Sequence, residues 1–257
     1  MNQQAKSLKI LLLGDSCYDF YHYGTVNRIS PEAPIPVFDH LYTQKKLGMM
    51  SNVLENFRAL GLQPDYQTHF YENKNRYIDQ KSKQQLLRVD QKIDEEGISN
   101  ILHELNTYEF YDAIVISDYN KGFVSHEDIQ IIRNEFDGPI FIDTKKTDLA
   151  SLGNCFFKIN HIEHKKLKST PSLDNMIVTQ GGENVIWGNR LYFPPKVEAY
   201  DVCGAGDTFL AALVFEYLRK DDMEQAIIFA MKAAAITVQK IGVYAPTLKE
   251  IEDDNET

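Results

Sequence analysis

Apolar residues follow two rhythms along this chain. Short, continuously apolar runs occur at Ile10-Leu11-Leu12-Leu13, closed by Gly14-Asp15, and at Ala113-Ile114-Val115-Ile116, closed by Ser117-Asp118. Others are Pro139-Ile140-Phe141-Ile142, closed by Asp143, then Phe156-Phe157-Lys158-Ile159 before Asn160, and Ile177-Val178-Thr179 before Gln180-Gly181-Gly182. Runs of this kind predict strands buried on both faces, and therefore a mostly parallel sheet. Elsewhere the apolar positions recur at helical spacing. Met50, Val53, Leu54, Phe57 and Leu60 mark one helix, stopped by Gly61, and Ser125 with Asp128 caps another that runs to Phe136. The stretch after Asp207 predicts a helix through Phe215, and Asp222 caps a long one through Ala226, Ile227, Phe229, Ala230, Ala233 and Ile236. Strand and helix alternate, so the fold expected is α/β, and the polar residues that close each strand sit at carboxyl edges, where ligands of parallel sheets collect.

Four stretches fall outside this alternation. Tyr21 to Val37 contains three prolines and reads as a polar-aromatic loop. Val37–Lys46 and Asn75–Asp90 are strand-like, and Val185-Ile186-Trp187 with Leu191-Tyr192-Phe193 around Gly188-Asn189 predicts a hairpin.

Composition narrows the picture. With 257 residues and 43% hydrophobic content, one substantial core is the default. The net charge of -10, from 37 acids against 27 bases, and an acidic tail at Glu250, Glu252, Asp253, Asp254 and Glu256 disfavour a nucleic-acid or anionic-membrane partner. Cys17, Cys155 and Cys203 form no close pair and no metal-ligand spacing, which suits reduced thiols in the cytoplasm. No run approaches 18 apolar residues, and Met1 to Lys9 is polar, so neither a membrane span nor a signal peptide is expected.

The chemistry concentrates in Ala199 to Phe215, A-Y-D-V-C-G-A-G-D-T-F-L-A-A-L-V-F. Gly204-Ala205-Gly206 is a turn that delivers straight into a helix, whose first N–H groups lack intrahelical partners and carry partial positive charge. Such a turn is an anion hole. Asp207 stands where anions are drawn, a poor position for simple binding and a good one for taking a proton from a hydroxyl beside a transferring phosphoryl group. A plain Asp cap on the helix gives the same letters. Asp15 and Asp19 after the first strand, and Asp118 with Lys121 after the second, read either as ligand contacts or as turn residues that satisfy local N–H groups. Asn160-His161-Ile162-Glu163 reads either as a helix cap with an acid at its third position or as an oxygen-donor pair suited to hydrated Mg²⁺. The flanking His161 and His164 lack a third partner for zinc.

Asp201-x-x-Gly204-Ala205-Gly206-Asp207 resembles the D-T-x-G-A-G-D signature of the PfkB (ribokinase-like) carbohydrate kinases, with Val202 and Cys203 at the usual Thr positions. Asp118-Tyr119-Asn120-Lys121-Gly122, preceded by Ser117, is similar to the family's S-D-Y-x-K-G, and Asn160-x-x-Glu163 to its N-x-x-E. Arg28-Ile29-Ser30-Pro31-Glu32-Ala33-Pro34 resembles a segment of one branch, the D-glycero-β-D-manno-heptose 7-phosphate kinases. The resemblance covers Ile10 to about Pro246.

It implies a ribokinase-like three-layer α/β/α fold with a mostly parallel central sheet. The whole chain, 1–257, forms one kinase domain with a small β lid inserted as segments of about 33–47 and 74–90. The implied activity is ATP-dependent phosphorylation of a small-molecule sugar phosphate, with ATP and Mg²⁺ as cofactors and a homodimer through the lid as a possible assembly. Asp207 would be the base, with the amides of Gly204, Ala205 and Gly206 as anion hole. Asn160, His161, Ile162, Glu163, Thr179, Gly181 and Gly182 would contact the nucleotide, with Asn160 and Glu163 reaching Mg²⁺ through water. Asp15, Asp19, Asn27, Arg28, Glu32, Gly48, Asn52, Asp118 and Lys121 would line the sugar site.

Two departures stand out. Relatives carry G-G-x-x-x-N where this chain has Gly48-Met49 before Met50-Ser51-Asn52, which narrows or reshapes the sugar site. Tyr66–Phe70 also passes almost directly into Asn73–Arg76, so about one α/β unit is missing. They leave two alternatives open: a kinase for a different sugar, and a non-catalytic member that binds nucleotide or sugar phosphate. No nucleotidyltransferase domain is legible in these residues.

Overall fold

The computed structural model describes residues 8–93, 108–240 and 242–253. The polar start up to Ser7 and the last tail acids, Asp254 and Glu256, lie outside them. In chain order the strands are β1 (Ile10–Ile29), β2 (Pro36–Met49), β3 (Asp65–Asp79), β4 (Gln85–Lys92), β5 (Ala113–Asp118), β6 (Ile140–Thr144), β7 (Phe156–Asn160), β8 (Met176–Thr179), β9 (Val185–Trp187) and β10 (Arg190–Tyr192). The helices are α1 (Met50–Ala59), α2 (His126–Glu135), α3 (His161–His164), α4 (Ala205–Lys220), α5 (Met223–Val238) and α6 (Leu248–Asp253). The chain divides into two compact units, one formed by Met1–Asp15, Met49–Thr68 and Ile98–Thr257, the other by Ser16–Gly48 and His69–Gly97.

In the first unit the start of β1 pairs in parallel with β5, β5 with β6, β6 with β7 and β7 with β8, while β9 and β10 continue antiparallel beyond β8. Ile10 and Leu12 of β1, Ala113 and Val115 of β5 and Phe141 of β6 join α1, α4 and α5 in one core. Residues of the opposite parity, Leu11, Leu13, Ile114 and Ile116, are just as buried outside that cluster, as are Ile129 and Ile132 of α2. Both sheet faces are therefore covered, which is why these strands read as unbroken apolar runs rather than alternating ones. Each such fully buried side chain contributes about 1.5–3 kcal/mol. The helix starts follow their sequence signals. Ser125 and Asp128 form a reciprocal capping box on α2, and the Asp222 carboxylate accepts the Gln225 N–H at 3.1 Å on α5.

The second unit is all β. Here β2 pairs with β1, and β3 pairs antiparallel with β4 from Glu72↔Lys92 to Ile78↔Gln85. Of the segments 33–47 and 74–90, all but residues 33–35 and the turn at 80–84 lie in β2, β3 and β4. Tyr21 to Ile29 corrects the reading of a loop: it is the continuation of β1. Its prolines drew that reading, but Pro31 and Pro34 are confined to the short connection and Pro36 opens β2. An aromatic ladder holds the extended backbone, with Tyr18 stacked on Phe70 at 4.3 Å and His22 on Tyr77 at 4.8 Å. Residues Asp65–Asp79 form one strand with no helix inside it, the shortening implied by the sequence.

Met49, which the family resemblance sets at a glycine position, has φ 60° and ψ -132° and is buried. That backbone region is open to glycine and costs other residues about 1–3 kcal/mol. Met49→Ala gives up the buried side chain and keeps the strain, whereas Met49→Gly gives up the side chain and releases it. The glycine variant is therefore expected to be about 1 kcal/mol more stable than the alanine variant in urea denaturation, the reverse of the usual order. An alanine variant at least as stable would show that the backbone at this position is unstrained.

Candidate active site

The loop before α4 turns through Gly204 at φ 83°, with no side-chain cap on the helix. A Cβ on Gly204 would stand 2.9 Å from Asn52 Nδ2, so the position is closed to other residues by both conformation and space. Asp201 organises the approach. One of its oxygens accepts the Cys203 N–H and the other the Gly242 N–H, both at 2.9 Å. The Cys203 amide is thus committed inside the loop, and Ala205 N–H makes a long 3.4 Å bond to the Val202 carbonyl. The N–H groups of Gly204, Gly206 and Asp207 have no acceptor among the described residues. Of the three amides expected to form the anion hole, those of Gly204 and Gly206 are open, that of Ala205 is engaged, and that of Asp207 joins them.

These amides open into a cleft of about 160 Å³. Its walls come from the carboxyl ends of three neighbouring strands and from the start of α4: Asp118 and Tyr119 after β5, Asp143 and Lys145 around the end of β6, Lys158, Asn160 and Glu163 around the end of β7, then Gly204, Gly206 and Asp207. Asp207 is buried, 9% exposed, and two side chains hold it. Asn52 Nδ2 of α1 donates to Oδ2 at 2.8 Å, and the Tyr119 hydroxyl donates to Oδ1 at 3.2 Å. Burial pushes the Asp207 carboxyl up to about 6, opposed by the Asn52 hydrogen bond and aided by the nearby Asp143 charge. A carboxylate with that value, fixed at both oxygens and facing a cleft, can exchange a proton near neutral pH.

The other expected ligand contacts divide. Asp15, fully buried at the end of the first unit's part of β1, accepts the backbone N–H groups of Tyr119, Lys121 and Phe123 at 2.8, 3.1 and 3.4 Å. It shapes the loop that carries Tyr119. Asp118 lines the cleft but is heavily engaged: Oδ1 takes the Asn120 N–H at 2.8 Å, and Oδ2 takes Lys146 Nζ at 2.7 Å together with the Thr144 hydroxyl. Lys121 is exposed. Asn52, expected at the sugar, is bonded to Asp207 instead.

Asn160 and Glu163 form a capping box on α3. Asn160 Oδ1 accepts the N–H groups of Ile162 and Glu163, and Glu163 Oε2 accepts that of Asn160 at 2.9 Å. Glu163 Oε1 pairs with Lys145, whose side chain is 48% exposed. Both polar side chains are thus tied to the backbone, a donor set suited to a hydrated cation met through water. Among the described residues no cluster of three or more His, Cys, Asp or Glu side chains could hold a metal directly. His161 and Ile162 are exposed on α3, and Thr179 lies beside Asn160 across the β7–β8 pairing, with Gly181 and Gly182 in the turn that follows. Asp19, Asn27, Arg28, Glu32 and Gly48 belong to the second unit. There Arg76 pairs with Asp19 at 3.0 Å, and a side chain on Gly48 would collide with Asp19 Oδ2. Asn27, Arg28 and Glu32 are exposed.

Tyr119, Asp143, Lys145 and Lys158 were not singled out as site residues from the sequence. Lys158 left a signal: it is a cation inside an otherwise apolar strand, where only a buried partner can hold it. That partner is Asp143, with Nζ 2.5 Å from Oδ2. The Tyr119 contact to Asp207 spans 88 positions and has no local signature.

Residues 150–250 match the pfkB family of carbohydrate kinases. The bifunctional protein HldE of a Nitratiruptor species is 31% identical over 299 residues, 95% of this chain and 64% of the relative. That of Campylobacter curvus is 30% identical, over 97% of this chain and 65% of the relative. The chain therefore spans a little under two thirds of the length of these relatives. Among solved structures, Escherichia coli phosphofructokinase-2 with bound potassium superposes with a TM-score of 0.74 at 14% identity, covering 96% of this chain and 97% of that one. Thermotoga maritima ribokinase superposes at 0.71 with 18% identity, covering 97% of this chain and all of the other. At such identities the superpositions establish the ribokinase-like α/β fold. The Gly-Ala-Gly-Asp turn at the head of α4 thus lies inside a segment that matches the pfkB family of carbohydrate kinases, and the similarity to the two relatives runs along nearly the entire chain.

Proposed function

We propose that the protein phosphorylates a sugar phosphate with ATP, and that the acceptor is D-glycero-D-manno-heptose 7-phosphate, giving the 1,7-bisphosphate. One observation carries the reading: a buried carboxylate, Asp207, is fixed by Asn52 and Tyr119 at the mouth of a cleft beside amides that have no acceptor among the described residues. Asp207 takes the proton from the acceptor hydroxyl as its oxygen bonds to the γ-phosphorus. The bond from that phosphorus to the β–γ bridging oxygen breaks, and its electron pair leaves with ADP. The amides of Gly204, Gly206 and Asp207 hold charge on the phosphoryl oxygens in flight. Asn160 and Glu163 would hold Mg²⁺ through its waters, and the ion would offset the negative charge of the phosphates. His161, Ile162, Thr179, Gly181 and Gly182 are proposed to contact the nucleotide. Asp19, Asn27, Arg28, Glu32, Gly48 and Lys121 are proposed to contact the sugar phosphate on the strength of the Arg28–Pro34 resemblance, while Asp15, Asp118 and Ala205 act on loop geometry.

ATP-dependent transfer to the heptose 7-phosphate, read by mass, tests the proposal, beside a panel of other sugars and sugar phosphates. Turnover of another sugar with none of the heptose favours a second reading, a kinase of different specificity, which the buried and strained Met49 supports. Consumption of ATP with no acceptor on the panel defeats both.

A homodimer through the second unit is also proposed. Leu41, Leu87 and Val89 on β2 and β4 are exposed at 55, 55 and 43%, apolar surface on strands of the kind that pairs between copies. Leu41→Asp with Leu87→Asp is expected to halve the particle mass in light scattering. A wild type that is already monomeric removes the proposal. No helix among the described residues is long and apolar enough to cross a membrane, and the three cysteines are free, so we propose a cytoplasmic setting.

A further inference from the structure

Lys158 projects from β7 into the cleft with its side chain 7% exposed, and its Nζ donates to Asp143 alone among the described residues. An ammonium has three donors. Two of them are therefore unfilled in a buried group, a costly arrangement unless a further acceptor arrives. The ammonium lies close against Gly206, where a Cβ would fall 3.0 Å from Nζ. The ammonium thus packs against the first turn of α4, beside the amides of the anion hole. A cation at the positive end of a helix is repelled by the dipole, and an apolar pair in place of a buried ion pair is often at least as stable. Stability alone gives no reason for a lysine there. An anion that binds the amides and the ammonium together does.

The charges around the cleft single out the same residue. Lys146 is bonded to Asp118 and the Val124 carbonyl, and Lys145 is half-exposed and paired with Glu163. Lys158 is the buried cation that faces Asp207 and the head of α4. Burial pushes its ammonium towards the neutral form, but the charges of Asp143 and Asp207 outweigh this and hold it protonated.

We propose that Lys158 is a catalytic residue which stays anchored to Asp143 through one N–H and gives its remaining donors to the oxygens of the phosphoryl group passing from ATP to the acceptor alcohol. This deepens the kinase reading and rests on it. It also explains Gly206: the position must lack a side chain so that ammonium, amides and phosphoryl group can meet.

Removing Lys158 alone would strand Asp143, so the test compares Asp143→Asn with the double variant Asp143→Asn/Lys158→Met, both checked for folding by thermal unfolding. Turnover of the double variant is expected to fall about 10²–10³-fold below that of Asp143→Asn, the loss typical of one transition-state donor. A double variant that is folded and within about threefold of Asp143→Asn overturns the proposal. If the wild type phosphorylates nothing on the panel, the kinase reading has failed independently. Calorimetric titration of the same two variants with ATP and with ADP then decides the role of Lys158. Loss of the preference for ATP in the double variant supports contact with the terminal phosphoryl group, and an unchanged preference overturns it.

Discussion

Asp207→Asn is expected to lower phosphoryl transfer by about 10²–10⁴-fold, the usual contribution of a positioned general base, and to make the fold more stable at the same time. Both effects have one cause. The carboxyl is buried, and burial raises its pKa from an ordinary 3.8 to about 6. Below pH 4 it is protonated in the folded and unfolded chain alike, and its charge costs folding nothing. Between pH 4 and 6 the unfolded chain releases the proton while the folded protein keeps it, so stability falls as pH rises. Above about 6 the folded protein must bury the charge, and the full cost of roughly 3 kcal/mol is reached, since one pKa unit is about 1.4 kcal/mol.

An amide in that position never ionises. It can still accept from Asn52, but it places a second donor against the Tyr119 hydroxyl, so a net gain of about 1–3 kcal/mol at pH 8 is expected, vanishing at pH 4. Denaturant unfolding of both proteins at the two pH values measures it. The wild-type turnover should fall on acidification with a midpoint near 6, as the base is protonated. A stability difference that does not change between pH 4 and pH 8 would show that Asp207 carries no buried charge, and the assignment as base would lose its physical ground.

The core was legible in the sequence because burial on two faces leaves an unambiguous mark. Ile10–Leu13, Ala113–Ser117 and Phe156–Ile159 could be nothing but inner strands, and the α2 and α5 caps were readable from Ser125, Asp128 and Asp222. Tyr21–Ile29 was misread because its extended conformation depends on rings from other strands, Tyr77 stacked on His22 and Tyr42 stacked on Tyr23, and not on its own letters. The same distinction divides the site. Asp207 and its amides form a local motif, strand end to helix start, and a local motif can be read. The groups that condition it come from elsewhere: Asn52 lies 155 positions away, and Tyr119 is placed by the Asp15 carboxylate inside β1.

Acids that look alike in sequence therefore do different things. Asp15 collects three backbone N–H groups, Asp118 and Asp143 hold lysines, Asp201 ties a loop, and Asp207, which has hydrogen bonds but no lysine bonded to it, is the acid we propose as base. Sequence spacing placed these acids at strand ends and loop turns. What each carboxylate has already bonded, not its spacing, separates the proposed base from the others.

Lys146→Met is expected to destabilise the fold by about 3–5 kcal/mol, out of a total stability of about 5–15 kcal/mol for a protein domain. Lys146 and Asp118 are 6% and 0% exposed in their side chains and 2.7 Å apart, and the ammonium also donates to the Val124 carbonyl at 2.7 Å. Removing it leaves a carboxylate with no access to water, held only by the Thr144 hydroxyl and the Asn120 N–H. Asp118→Asn/Lys146→Met removes the stranded charge as well, so it is expected to be more stable than Lys146→Met alone, with a coupling of about 1–3 kcal/mol in a double-mutant cycle followed by denaturant unfolding. Methionine nearly matches lysine in length, so the cycle measures charge and hydrogen bonding with little contribution from a cavity. If Lys146→Met unfolds within about 1 kcal/mol of the wild type, water reaches Asp118. In that case the carboxylate is open to ligand, and its place in the scaffold gives way to the direct sugar or phosphate contact that the Ser-Asp-Tyr motif implies.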